Sequence, residues 1–171
     1  MRVIDVVETT TDAPTATDFQ EFFATQYRSV VRALVLVAGS MAAAEDLAQE
    51  AFARTFERWD RVSGLTSPAG YVYRVAMNVQ RSRLRRAAVA VRHAAGRSTA
   101  RDEPDPGVRQ EVRDMLASLP PTQREALMLV EWLGYSAEEA GAILGVRPSS
   151  VRGRLHRARA SLRDRFGGDG D

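Results

Sequence analysis

The chain has 171 residues, 44% hydrophobic and 27% charged, which suits one domain or two small ones and fits neither a disordered chain nor a membrane protein. With no cysteine, and with His93 and His156 as the only histidines, disulfides and thiolate chemistry are excluded and imidazole metal centres are poorly supplied. The net charge is only +2, yet residues 74–101 carry +8 without a single acid and residues 147–165 carry +6, while the other segments are acidic. Every basic residue is Arg, which suits phosphate and base recognition but is better explained by a genome-wide codon bias, so position is more informative than the total. The apolar runs are too short to cross a bilayer, and Met1-Arg2-Val3-Ile4-Asp5 leads into acidic, Thr-rich sequence rather than a signal peptide, so a cytoplasmic location is expected.

Helical periodicity dominates, and no convincing period-two strand is found, which predicts an all-α fold. Residues 1–17 read as a disordered tail. Asp18 is placed to cap a first helix, along which Phe23, Tyr27, Val30, Leu34 and Val37 recur at helical spacing until Gly39-Ser40. Ser40 caps a second, with Ala48, Phe52, Phe56 and Trp59 as an i, i+4 stripe, broken by Val62-Ser63-Gly64-Leu65-Thr66. Ser67-Pro68 opens a third, expected to run to about Arg86. From about 94 to 108 the chain loses its period and becomes rich in Ala, Gly, Ser, Arg, Asp and Pro, which reads as a flexible linker between two small helical domains, 18–93 and 109–166. The second opens with a helix from Arg109 to Ser118. Pro120-Pro121 stops it, and Thr122 with Glu125 forms a capping box for the next, which Gly134 closes. Ser136 with Glu139 forms another box over a short helix ending at Leu144, and Gly145-Val146 breaks the chain before Pro148 starts the last helix. This is a helix-turn-helix, followed by a short tail at 167–171.

On the last helix Val151, Leu155, Ala158 and Leu162 share one side, which fixes the buried face. Ser149, Gly153 and His156 centre the opposite side, Arg152 and Arg157 flank it, and Arg147, Arg154, Arg159 and Arg163 lie further round. Arg reads guanine edges and neutralises phosphates, and Gly153 lets the helix backbone approach the bases, so the pattern is that of a major-groove face. On the third helix Tyr71, Arg74, Asn78, Arg81 and Arg85 form one stripe of an aromatic ring, an amide and guanidiniums, groups on which unpaired bases stack, while Val72, Val75 and Val79 form a separate apolar stripe. A row of solvated arginines beside a core tyrosine is the plainer alternative, against which stands the self-repulsion of an acid-free block. Asp46, Gln49, Glu50 and Phe52 on the second helix are weak by themselves, since acids near a helix start are favoured by its dipole. Trp59 and Trp132 are expected in the core, and His156 in the groove rather than on a metal.

These residues together resemble the extracytoplasmic-function sigma factors, the small sigma-70 subunits of bacterial RNA polymerase, and in particular the actinobacterial sigma-E-like group. Asp46-Leu47-Ala48-Gln49-Glu50-Ala51-Phe52 is similar to region 2.2, and Tyr71-Val72-Tyr73-Arg74-Val75-Ala76-Met77-Asn78 with Arg85-Arg86 to regions 2.3 and 2.4. The runs 119–127 and 151–159 are similar to regions 4.1 and 4.2. The resemblance implies that Asp46, Gln49, Glu50 and Phe52 bind the clamp helices of the largest polymerase subunit. It implies that Asn78, with the loop 61–65 and the stripe of Tyr71, Arg74, Arg81, Arg85 and Arg86, holds the melted strand at the −10 element. It further implies that Arg152, Gly153, His156 and Arg157 read the −35 duplex, with Ser149, Ser150, Arg154 and Arg159 beside them, some on phosphates. The apolar face of the second domain would hold the flap tip of the other large subunit, and Asp102-Glu103-Pro104-Asp105 would mimic nucleic-acid charge near the active centre. No cofactor or metal is implied, and an anti-sigma protein is a further possible partner. Tyr71 stands where the family often has Trp, Ser82 where Asp is common, and Ser149-Ser150 where Gly-Thr is frequent. A free-standing helix-turn-helix regulator would explain the last helix but not the α-helical stripe around Asn78 or the Asp46 to Phe52 motif. A nuclease lacks a pair of acids at metal spacing beside either basic face, so no enzymatic activity is expected.

Overall fold

The computed structural model describes residues 16–93 and 110–166, which are helical with short turns and, among these residues, no strand. The expected linker, the C-terminal tail and nearly all of the N-terminal tail lie outside the described residues. Helix α1 (Ala16–Ala38) starts two residues before Asp18, which therefore sits in the first turn, where an acid still complements the helix dipole. Gly39 ends α1 at φ +89°, and Ser40 caps α2 (Met41–Phe56) by accepting from the Ala43 N–H at 3.2 Å. The expected stripe from Ala48 to Trp59 is interrupted: α2 stops at Phe56, and Trp59 begins a separate turn, α3 (Trp59–Val62). Helix α4 (Pro68–His93) starts where the Ser-Pro pair places it, with Ser67 Oγ accepting from the Gly70 N–H at 3.0 Å, and runs seven residues beyond the expected end.

The first half is a packed bundle of α1, α2 and α4. Leu34, Leu47, Phe52, Val72 and Met77 are all at or below 2% exposure, and each buried side chain of that size stabilises the fold by roughly 1.5–3 kcal/mol. At one end Phe19, Phe22, Phe23, Tyr27, Phe52 and Trp59 form a ring cluster with centroids 4.8–6.5 Å apart, many tilted or edge-on as aromatic quadrupoles favour.

The second half contains α5 (Gln110–Ala117), α6 (Pro121–Leu127), a π-helical turn (Met128–Trp132), α7 (Ala137–Leu144) and α8 (Pro148–Phe166). The expected capping box at Thr122 is not formed: Pro120 is the N-cap and Pro121 the first helical residue, and Glu125 is freed for a buried role. The box at Ser136 is formed, with Ser136 Oγ accepting from the Glu139 N–H at 3.1 Å and Glu139 accepting from the Ser136 N–H at 2.8 Å. Gly145 turns the chain between α7 and α8 at φ +68°, and Gly141 is required there too, because a Cβ would meet the Val146 carbonyl oxygen at 2.8 Å.

A single apolar core crosses both halves. Helix α1 packs on α5, α6 and the π turn as well as on α2 and α4, and α7 packs on α4. The Tyr73 and Tyr135 rings meet edge-on at 6.3 Å across this boundary. Burial pushes the Tyr73 hydroxyl well above the usual tyrosine range, Tyr135 adding to the shift and a hydrogen bond with Ser29 opposing it.

Candidate nucleic-acid interfaces

Along α4 the side chains divide as the wheel requires. Val72 and Val79 face the core, joined by Tyr73, Ala76 and Met77, while Arg74, Asn78, Arg85 and Arg86 are exposed and Tyr71 and Arg81 are half-buried. Tyr71, Arg74 and Asn78 open into one cleft of about 450 Å³, completed by Arg54, Glu57 and Arg58 from the end of α2 and the turn after it. Arg58 donates to the Tyr71 hydroxyl at 3.4 Å. Three guanidiniums, a ring and an amide around one open cavity offer a stacking face, base-edge hydrogen bonds and phosphate neutralisation together. Of the loop expected at 61–65, Arg61 and Val62 belong to α3, with Val62 buried, so only residues 63–65 are loop, and the half-exposed Leu65 is its apolar tip.

Two of these arginines are already engaged by the second half. Arg81 grips Glu125 with two hydrogen bonds, Nε to Oε1 at 3.0 Å and Nη2 to Oε2 at 2.7 Å, and also donates to the Leu144 carbonyl at 3.3 Å. Arg74 donates to the Ala142 carbonyl at 2.7 Å.

On α8 the buried face is as expected, with Val151, Leu155 and Ala158 enclosed and Leu162 half-buried. Ser149, Ser150, Arg152, His156, Arg157 and Arg159 are exposed on the other side. The Arg157 guanidinium lies over Gly153, 3.5 Å from where a Cβ would stand, in ordinary contact. Arg152 pairs with Glu138 at 2.9 Å and Arg159 with Glu131, both among exposed side chains that a phosphate could displace. The hydrogen bond from Arg152 holds the Glu138 carboxyl below its usual range. Arg154 departs from expectation: its side chain is only 17% exposed and points inward, Nη1 3.9 Å from Glu125 Oε2. Its guanidinium is thus turned toward Glu125 rather than out among the exposed arginines of the helix.

The α2 motif also splits. Asp46 and Gln49 are exposed, but Phe52 is 2% exposed, enclosed in the aromatic cluster. Glu50 is half-buried and bound at both oxygens, to Arg54 at 2.6 Å and Arg83 at 2.7 Å, and the Arg83 hydrogen bond foremost holds its carboxyl below the usual range. Trp132, expected in the core, stands 57% exposed at the end of the π turn, a distortion of the kind found at functional sites. The expectation rested on tryptophan's general preference for the core, which a π turn's altered register overrides here.

An all-helical protein with a helix-turn-helix and two separate arginine faces, one lining a base-sized cleft, is a nucleic-acid-binding protein. Residues 22–89 match the model for sigma-70 region 2 and residues 109–162 that for sigma-70 region 4. The chain is 34% identical over 155 residues to the RNA polymerase sigma factor CarQ of Myxococcus xanthus, covering 87% of this chain and 89% of that one. It is 30% identical over 150 residues to the RNA polymerase sigma-E factor of Streptomyces coelicolor, covering 86% and 85%. Its fold is similar to that of the sigma factor RpoE of Bartonella quintana, solved with the anti-sigma factor NepR, at a TM-score of 0.76 and 22% identity over 90% of this chain and 99% of that one. It is similar also to CnrH, solved with the cytosolic domain of CnrY, at a TM-score of 0.64 and 23% identity over 91% and 92%. The chain belongs to the sigma-70 family of RNA polymerase subunits, as a sigma factor of the extracytoplasmic-function type.

Proposed function

We propose that this chain is a dissociable, cytoplasmic promoter-specificity subunit in which α4 traps one melted strand at the −10 element and α8 reads the −35 duplex from the major groove. The observation that carries the reading is the convergence of Tyr71, Arg74 and Asn78 on one cleft lined by Arg54 and Arg58. Unstacking a base costs a few kcal/mol, and about 1–3 kcal/mol returns for each base stacked on an aromatic or guanidinium plane, so opening needs no nucleotide hydrolysis. Arg85 and Arg86 extend the face along the backbone.

On α8, Arg152, His156 and Arg157 face base edges, Gly153 lets the helix sit deep, and Ser149, Ser150 and Arg159 hold phosphates. Asp46 and Gln49 are the polar contacts for the clamp helices of the largest polymerase subunit, with Glu50 fixing that surface through Arg54 and Arg83. Trp132 is the apolar anchor for the flap of the other large subunit. An anti-sigma protein is a further partner, in line with the complexes of the structural relatives.

The test is run-off transcription by a bacterial core RNA polymerase on pooled genomic promoters. Discrete transcripts that depend on the protein are expected, and Asn78→Ala should reduce their yield more than their binding at −35. Tight promoter-duplex binding by the protein alone, without polymerase-dependent initiation, would identify a free-standing regulator instead.

A further inference from the structure

One side chain in the cleft on α4 has the wrong charge for a polyanion. Glu57 lines the cavity of about 450 Å³ together with Arg54, Arg58, Tyr71, Arg74 and Asn78. Local structure gives no reason for an acid at this position. Glu57 is the C-cap of α2, the end at which a helix carries partial negative charge and a carboxylate is disfavoured. Nor do the arginines around it hold it. Arg54 bonds Glu50 at 2.6 Å, Arg58 donates to the Tyr71 hydroxyl at 3.4 Å, and Arg74 donates to the Ala142 carbonyl at 2.7 Å. The Glu57 carboxylate and the Asn78 amide make no hydrogen bond or ion pair with any described residue.

These two uncommitted groups differ in what they can recognise. An ionised carboxylate only accepts hydrogen bonds, whereas an amide both donates and accepts. Facing DNA, a carboxylate repels phosphate oxygens and base carbonyls alike, so its favourable use is an N–H donor on a base edge. In an unpaired strand the Watson–Crick edge is open to such a group. Cytosine and adenine present an exocyclic amine there, and guanine an amine beside a ring N–H. Thymine alone among the DNA bases has no amine, and two carbonyl oxygens flank its single N–H. A base stacked on the Tyr71 ring would thus meet an acceptor at Glu57 that thymine cannot satisfy without repulsion.

We infer that Glu57 is a specificity-determining residue of this cleft: its carboxylate accepts from the exocyclic amine of the trapped base and rejects thymine, while Asn78 bonds the rest of the same edge. The inference rests on α4 being the strand-binding face and adds the class of base that this face takes. Charge and selectivity are coupled in it. The same carboxylate that weakens attraction for the backbone makes one position of the strand selective.

The test is run-off transcription by core RNA polymerase with the full-length protein, on a promoter library randomised across the melted −10 segment, with the templates that yield RNA read by sequencing. For the parent, thymine should be depleted about tenfold at one position of one strand. Glu57→Gln keeps the shape, loses the charge and gains a donor for a thymine carbonyl, so the depletion should fall to within about twofold at that position. Glu57→Ala should relax it likewise. Preferences at the other positions and at −35 should stay as in the parent. Glu57 is exposed, and a thermal melt confirms that each variant is folded. Equal thymine depletion in the parent and both variants, or a uniform rise in output for all four bases, would overturn the inference while leaving the strand-trapping reading intact. A parent that gives no polymerase-dependent transcript would remove that reading and the inference with it, so the two failures are distinguishable.

Discussion

Helices α4 and α8 each carry a row of arginines, but the two rows end in opposite states. On α8 the outward guanidiniums are exposed and meet only exposed acids, Glu138 and Glu131. On α4 two arginines in the middle of the row, Arg74 and Arg81, bond to the other half of the chain, and Arg81 is clamped by a carboxylate at 1% exposure. A cation that water and counterions can reach costs little to leave waiting for DNA. One beside an apolar boundary must be paired at once, and here the chain supplies the anion itself. One arginine face is therefore open to solvent as folded, while the middle of the other already holds partners within the chain.

The largest effect should come from removing the shared anion. Glu125→Ala leaves Arg81 and Arg154 without their partner and should lower stability by about 3 kcal/mol, read by urea denaturation. A loss under about 1 kcal/mol would mean that the clamp is slack and the contrast between the faces false. Next, Gly141→Ala forces a methyl against the Val146 carbonyl and should cost about 2 kcal/mol, measured as unfolding of the second half. It should weaken duplex binding only in step with that unfolding. Arg152→Ala sharpens the comparison from the other side. It should leave stability within about 0.5 kcal/mol, since its pair is exposed, yet weaken −35 recognition by about 2 kcal/mol in a polymerase-dependent binding assay. The smallest effect is an acid dependence. Glu50 titrates below its ordinary value of 4.5 because Arg83 and Arg54 favour the charged form. Its contribution is thus present above that value and lost as pH falls through the lowered one. Glu50→Gln should therefore lose less melting temperature than the parent between about pH 5 and about pH 3.

Much of this was legible in the sequence. Ser40, Ser67-Pro68, Ser136-Glu139 and Gly145 mark helix ends by local chemistry that tertiary packing leaves in place here, and the buried side of α8 follows from its period. What failed was whatever depends on a distant partner. Glu125 fitted a capping box three residues after Thr122, and nothing local tells a reader that it pairs across the molecule with Arg81. Phe52 sits in a binding motif but serves the aromatic cluster, because Phe19, Phe22, Phe23 and Tyr27 come from a helix read separately. One signal of the packing between the halves was available. Val30, Leu34 and Val37 account for one side of α1, and the remaining Val31, Val35 and Leu36 are also buried. The last turns of α1, apolar but for the exposed Arg32, need a second cover, and α5, α6 and the π turn provide it.

The central claim is that the two arginine faces engage separate parts of one promoter. A photo-crosslinking amino acid placed at Asn78 or at Arg152, in the polymerase complex on an opened promoter, tests it most directly. The account expects Asn78 to mark one strand of the melted −10 segment and Arg152 the −35 duplex, about two or more helical turns of DNA away. Crosslinks from both positions to the same short segment would contradict it.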